Sequence, residues 1–369
     1  MIQRLFISHY RLFENLEINL SDRHSVLLIG RNGVGKSTIG KALRVLQNIG
    51  RGSNRLKMLF SDDDYGGADT GRPIRIEIAV KIGEGRFEYA LAVELPEKFN
   101  ESRVLEETLT IDGQAVYSRD HAEVTLAKAA SPFMVDWHLV ALPVVQVRGI
   151  DNPIASFKDW LSKMVIISPV PSLMNGVSDV DSLEPVYDCG NFASWFGGVL
   201  GEYPASYNTI EKYLKEVLPD FQDFQNKSIS DVAKRLLVRF VGDNGHPVRL
   251  DFKNLSDGEK CFFVCAIVLA ANKFYGPIFC LWDEPDNYLS LSEVGHMTMA
   301  LRRSFEKSGQ LIVSSHNPEA IRKFSDENTL CLDRATHREA PTARWLSDIG
   351  YQGDLVESLV RGDIRLGNQ

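Results

Sequence analysis

Gly30-Arg31-Asn32-Gly33-Val34-Gly35-Lys36-Ser37 is the stretch on which the reading of this chain turns. It has the form G-x-x-x-x-G-K-S and follows Ser25-Val26-Leu27-Leu28-Ile29, an apolar run of strand length. Beyond it, Ile39, Ala42, Leu43 and Leu46 recur at helical spacing. The loop is therefore expected between a buried strand and a helix N-terminus. Gly30, Gly33 and Gly35 let the backbone wrap closely enough for its N–H groups to face an anion, and the helix end adds partial positive charge. Phosphate suits that cradle. Lys36 is placed for the outer phosphates of ATP and the Ser37 hydroxyl for a magnesium ion. Arg31, Asn32, Val34 and Thr38 complete the expected lining.

Three elements far along the chain supply the matching chemistry. Leu255-Ser256-Asp257-Gly258-Glu259-Lys260 opens an apolar run ending at Ala271. Ser256 and Glu259 have capping-box spacing, and a well-capped helix end around Ser256 and Gly258 is also an anion site. Ile278-Phe279-Cys280-Leu281-Trp282 runs into Asp283-Glu284. A carboxylate at a strand end can hold magnesium, directly or through water, which gives Asp283 its expected role. Glu284 is expected to polarise an attacking water. The apolar run Leu311 to Ser314 precedes His316, read as a sensor of the terminal phosphate. Each element alone has a plain structural reading: turn-forming acids, an ordinary N-cap, a structural histidine. Joined to the glycine loop they read as one site.

Around these motifs, residues 2 to 7 and 16 to 20 read as strands flanking a turn at Ser8-His9-Tyr10-Arg11. Ile74, Ile76, Ile78, Val80 and Ile82 alternate up to Gly83-Glu84-Gly85, and Phe87, Tyr89, Leu91, Val93 and Leu95 alternate after it, predicting an antiparallel hairpin. Another pair is expected about Asp112-Gly113. Helices are expected over 151–164, around Ile210 to Val217 before Pro219, and over 231–237, with a loop over 178–190 and a hairpin turn at Asp243-Asn244-Gly245. The division expected is an N-terminal lobe over 1–120, a largely helical insert over 121–235 and a C-terminal lobe over 236–369. No sustained heptad pattern or internal repeat is present.

Composition narrows the class. With 369 residues, 44% hydrophobic and 24% charged, the chain is expected to be globular and cytoplasmic. No apolar run is long enough to span a bilayer, and Met1-Ile2-Gln3-Arg4 does not resemble a signal peptide. Cys189, Cys261, Cys265, Cys280 and Cys331 lack paired spacing and read as buried reduced thiols. A net charge of −8 argues against a generally basic nucleic-acid surface. Arg44, Arg51, Arg55 and Lys57 are the one local basic cluster singled out.

The glycine loop, the Leu255–Lys260 turn, the acidic strand and His316, in that order, resemble the ABC ATPase superfamily. More narrowly, the chain is similar to its non-transporter branch, with the SMC, RecF and OLD-like ATPases. Ile7-Ser8-His9-Tyr10-Arg11-Leu12-Phe13-Glu14-Asn15-Leu16 resembles their opening, and Asp257 at the centre of the signature is similar to the OLD-like variant. Asp283-Glu284-Pro285-Asp286-Asn287-Tyr288-Leu289 resembles their acidic strand and D-loop, although Ser290 stands where many have aspartate.

The resemblance implies an α/β ABC-type head with a mixed core sheet, an antiparallel β lobe and a helical insert. It also implies ATP and Mg2+ as cofactors, Lys36, Glu284 and His316 as catalytic residues, and Ser37 and Asp283 as metal ligands. Ser256 and Gly258 would complete the site of a second copy in a head-to-tail dimer. Gln146 and Gln47 are weak candidates for the family's Q-loop glutamine. The implied output is an ATP-hydrolysing switch controlling a separate effector protein, of the nuclease or toxin class in prokaryotic defence. A RecF-like DNA-binding repair ATPase is the alternative. The absence of a coiled-coil arm, and of room for a nuclease domain after His316, is expected to leave the effector on another chain.

Overall fold

The computed structural model describes residues 1–66, 71–96, 101–127, 132–145, 152–242 and 245–349. The chain forms two compact units, and neither is continuous in sequence. The first holds Met1–Arg23, Ile29–Met164 and the chain from Thr329 onward; the second holds His24–Leu28 and Val165–Asn328.

In the first unit an antiparallel sheet places Ile2–Tyr10 between Phe13–Asn19 and Ile74–Ile82. It continues through Gly85–Glu94, Arg103–Ile111, Gln114–Asp120, Glu123–Leu126 and Phe133–Met134. The alternating apolar residues meet in register: Ile74 opposite Val93, Ile76 opposite Leu91, Ile78 opposite Tyr89 and Val80 opposite Phe87, all buried. A period of two puts one whole set of side chains on one face, and its burial fixes the register. Phe157, from the helix Pro153–Ser162, covers that face, its ring 5.8 Å from Phe87 and 5.7 Å from Tyr89. The helix Lys36–Gly50 buries Ile39, Ala42, Leu43 and Leu46 and meets Leu161 so closely that a Cβ on Gly50 would stand 2.5 Å away. The first strand runs through Ser8 and His9 to Tyr10, past the expected turn, because Arg11 takes the left-handed φ of 56° and reverses the chain there.

The same unit buries a charged cluster. Glu107 Oε1 accepts hydrogen bonds from the hydroxyls of Tyr89 at 3.0 Å and Tyr117 at 2.8 Å and from Leu142 N at 2.8 Å, while Ala141 N donates to Oε2 at 2.6 Å. Arg119 lies 3.7 Å from Glu107, and both side chains are fully buried. Its guanidinium also donates to the carbonyls of His121, Leu139 and Asp136. Burial and the Glu107 charge push both tyrosine hydroxyls well above their ordinary range, so they remain donors.

In the second unit a parallel sheet sets Val165–Ile167, Phe279–Asp283, Gln310–Ser314 and the strand Ser25–Ile29 side by side in that order. The strands are buried throughout, with apolar centres and polar residues only at their ends, as parallel strands covered on both faces are. A smaller antiparallel sheet pairs Lys234–Val241 with Phe221–Ser228, Pro247–Asp251 and Val177–Ser178. Residues 231–237 are therefore not helical: Leu236, Val238 and Phe240 alternate inward, opposite Asn226, Phe224 and Phe221. Cross-strand aromatic and β-branched pairing outweighs local helix preference here. The stretch 121–235 carries the helices Pro153–Ser162, Phe192–Glu202 and Ser206–Val217 and also several strands. The hairpin turn expected at 243–244 lies outside the described residues. Phe263, from the signature helix Asp257–Ala270, is packed by the rings of Phe196, Phe221, Phe224 and Phe252.

None of the five cysteines forms a disulfide, and all are buried. Burial pushes the Cys261 and Cys265 thiols up to about 12 and also raises those of Cys189 and Cys280 well above the ordinary range. Buried away from solvent, none should react with a water-soluble disulfide reagent at neutral pH until the chain is denatured, when all five should. Rapid labelling of the native protein would contradict this. No described helix is long and apolar enough to cross a membrane.

Candidate functional site

The glycine loop belongs to the first unit; the signature turn, acidic strand and His316 belong to the second. In the loop, Gly30 has φ 148°, and a Cβ there would stand 2.3 Å from Leu332 O. Gly35 has φ 107°, and a Cβ on it would meet Phe13 Cζ at 2.6 Å. The turn Arg11–Phe13 thus packs closely on the loop at Gly35 and the strand Thr329–Asp333 at Gly30. Among the described residues the Gly33 and Gly35 N–H groups find no hydrogen-bond acceptor, as an anion cradle requires. Lys36 is buried at 6% exposure, and its Nζ reaches the carbonyls of Gly30 at 2.8 Å and Arg31 at 3.3 Å. Arg31, Asn32 and Ser37 are exposed, whereas Val34 and Thr38 are buried. The residues fit a nucleotide phosphate.

Gly35→Ala should break this geometry. A left-handed alanine costs about 1–2 kcal/mol, and overpacking against Phe13 about 1–3 more. Urea unfolding should show a lower midpoint with an unchanged slope; a wild-type midpoint would mean that the loop yields freely.

In the second unit Asp283 and Ser314 lie opposite each other on adjacent parallel strands. Ser314 Oγ donates to Asp283 Oδ1 and accepts from Glu284 N at 3.0 Å. Tyr187 OH donates to Asp283 Oδ2 at 3.2 Å. The Asp283 carboxylate is thereby fixed at both oxygens and 6% exposed. Glu284 takes φ 51°, a conformation non-glycine residues avoid, and its Oε2 accepts from Asn287 Nδ2 at 2.9 Å. The two adjacent carboxylates therefore have different partners, Ser314 and Tyr187 for Asp283 and Asn287 for Glu284. Asp286, within the same turn, is held above its ordinary range by burial. Ser315 N donates to Leu28 O at 3.3 Å, and the exposed His316 follows.

Ser256 and Glu259 form the expected capping box: Ser256 Oγ accepts from Glu259 N at 3.3 Å, and Glu259 Oε2 accepts from Ser256 N at 2.7 Å. A Cβ on Gly258 would stand 3.0 Å from Tyr288 O, so the signature helix begins against the turn that follows the acidic strand. Lys260 is buried and donates to Pro171 O at 3.0 Å. The structure thus brings Ser256 and Gly258 near the 284–289 turn within one unit, and holds Lys36 within the glycine loop in the other.

Two polar residues of the acidic strand's surroundings escaped the sequence reading. Ser314 was within reach, since the parallel register sets it opposite Asp283. Tyr187 carries no local signal, because only the folded chain brings it to Asp283. Gln47 is buried in the glycine-loop helix, its amide donating to Met164 O at 2.5 Å, so its role is structural. Gln146 lies outside the described residues. Of the basic cluster, Arg51 donates to Ser162 O at 3.2 Å and ties two helices together. Among the described residues no group of three or more His, Cys, Asp or Glu could cage a metal, so any magnesium would rely on few protein oxygens, completed by phosphate and water.

The family model for the RecF/RecN/SMC N-terminal domain matches residues 1–337. The probable ATP-binding protein YheS of Escherichia coli K12 is 31% identical over 115 residues, 30% of this chain; the match spans only 17% of that relative's length. Among solved structures, an Smc head bound to the C-terminal winged-helix domain of ScpA matches 94% of this chain and 98% of its own, with TM-score 0.59 and 15% identity. An Smc head with an extended coiled coil, bound to the C-terminal domain of ScpA derived from Pyrococcus furiosus, matches 99% of both chains at TM-score 0.56 and 12% identity. Identities this low establish the fold alone.

Proposed function

Because the chain belongs to the RecF/RecN/SMC N-terminal domain family and forms an ATP-binding head of the SMC type, we propose that it is an ATP-hydrolysing switch that pairs head-to-tail with a second copy. The observation that carries this reading is the acidic strand end, where Asp283 is locked between Ser314 and Tyr187 while Glu284, in a left-handed turn, is held by Asn287. A structural turn needs neither the strain nor the doubly held carboxylate; a site that divides metal binding from water activation needs both.

In this reading Gly30, Arg31, Asn32, Gly33, Val34, Gly35 and Thr38 cradle phosphate and Lys36 neutralises it. Ser37 and Asp283 would hold magnesium, Asp283 directly or through water, its carboxylate being held in place by Ser314 and Tyr187. Glu284 takes the proton of the attacking water, and His316 reads the terminal phosphate. Ser256 and Gly258 present their helix end to the nucleotide of the other copy. Bound ATP with magnesium supplies the phosphoanhydride whose cleavage ends the pairing. The output is control of a separate effector protein, of the nuclease or toxin class in prokaryotic defence. The similar Smc heads, each bound to ScpA, support a separate partner in general and not this class. The RecF-like DNA-binding alternative gains nothing specific, since Arg51 of the basic cluster serves a helix contact.

Light scattering with and without Mg-ATP tests the pairing. The wild-type mass should rise from that of a monomer toward that of a dimer with ATP, and Ser256→Arg, which blocks the signature helix end, should bind ATP but stay monomeric. Pairing of Ser256→Arg at the wild-type level would sink the head-to-tail arrangement.

A further inference from the structure

We infer that Arg334 is a further nucleotide-phosphate-binding residue, a cation supplied to the glycine loop from outside its motif. The inference rests on the nucleotide reading above and adds a residue to it. Arg334 directly follows the strand Thr329–Asp333, and Leu332 in that strand presses its carbonyl on Gly30. The strand end is thereby fixed beside the loop. Arg334 Nη2 stands 3.2 Å from where a Cβ on Gly33 would begin, so the guanidinium lies against the loop at the residue whose N–H lacks an acceptor.

Among the described residues Arg334 makes no ion pair or hydrogen bond, although it is half-buried. Several other arginines of this unit are spent on carboxylates. Arg4 and Arg75 are paired with Glu77, Arg11 with Asp64, Arg103 with Glu94 and Arg119 with Glu107. A planar fork of donors beside an anion cradle, without a carboxylate of its own, matches a phosphate oxygen in charge and geometry. Lys36 approaches the loop carbonyls from within; Arg334 adds a second positive charge from the strand side.

Calorimetric titration of the full chain with Mg-ATP tests this, using Arg334→Gln, Arg334→Lys and Lys36→Ala. Arg334→Gln should weaken ATP binding about tenfold and flatten its salt dependence, while Arg334→Lys, which keeps the charge but loses the fork, should weaken binding less and keep the salt dependence. Melting without nucleotide should be unchanged. If Arg334→Gln melts early, Arg334→Met, which keeps the stem covering Gly33, should show the same affinity loss at wild-type stability. Wild-type affinity in the folded Gln or Met variant, with binding abolished by Lys36→Ala, would overturn the role of Arg334 alone. Undiminished binding by Lys36→Ala would instead overturn the nucleotide reading beneath it.

Discussion

Glu284→Gln is expected to lower ATP turnover about a hundredfold or more while leaving ATP affinity near wild type, since positioned proton transfer contributes about 10²–10⁴-fold. The amide keeps the size of the carboxylate and can still meet Asn287, so the left-handed turn at 284 should survive. What disappears is the base. Because hydrolysis ends the pairing in the proposed cycle, the variant should also accumulate as an ATP-bound dimer. Single-turnover hydrolysis and nucleotide affinity, measured on the same preparation, separate the two effects. Turnover within about threefold of wild type would remove Glu284 from the chemistry. Lost affinity would mean that the substitution had disturbed the strand end rather than its base.

The second large effect falls on stability, far from the nucleotide. Glu107→Ala should cost about 3–5 kcal/mol, because breaking a buried ion pair from one side strands the remaining charge. Here it would strand more than Arg119. The hydroxyls of Tyr89 and Tyr117 and the N–H groups of Ala141 and Leu142 all lose their acceptor. Burial already draws the Arg119 charge down, and Glu107 is what opposes it. At about 2–4 °C per kcal/mol, the melting temperature should fall on the order of 10 °C. Glu88→Ala, at an exposed site of the neighbouring strand, should change it by about 1 °C or less. Equal melting of the two variants would show that the cluster is relaxed by water or by movement of residues 136–142.

Those predictions draw on different depths of the sequence. The glycine loop, the acidic strand and the capping box were legible because each is a local pattern with a local cause. Ser256 and Glu259 meet across a single helical turn, and Gly35 needs only its own φ and the side chain of Phe13. The Ile74–Val93 hairpin was legible for the same reason, since alternation records burial directly. Tyr187, Arg334 and Glu107 were not. Each acts on a residue that only the folded chain brings near, and none sits in a pattern that marks it. Residues 231–237, which include the start of the strand at 234–241, were misread as helix because they have ordinary helix propensity and the pairing that decides the matter lies on Phe221–Ser228.

The discontinuity of the two units has a consequence for how the protein is made. The glycine loop leaves the ribosome early, but Leu332, the carbonyl that confines Gly30, emerges only after almost every other described residue. Domains that fold as they are synthesised complete their earliest parts first. This one cannot. Its phosphate cradle stays unfinished until translation has passed the strand Thr329–Asp333, so a nascent chain stalled or cut before that point should carry the whole G-x-x-x-x-G-K-S motif and still fail to hold nucleotide.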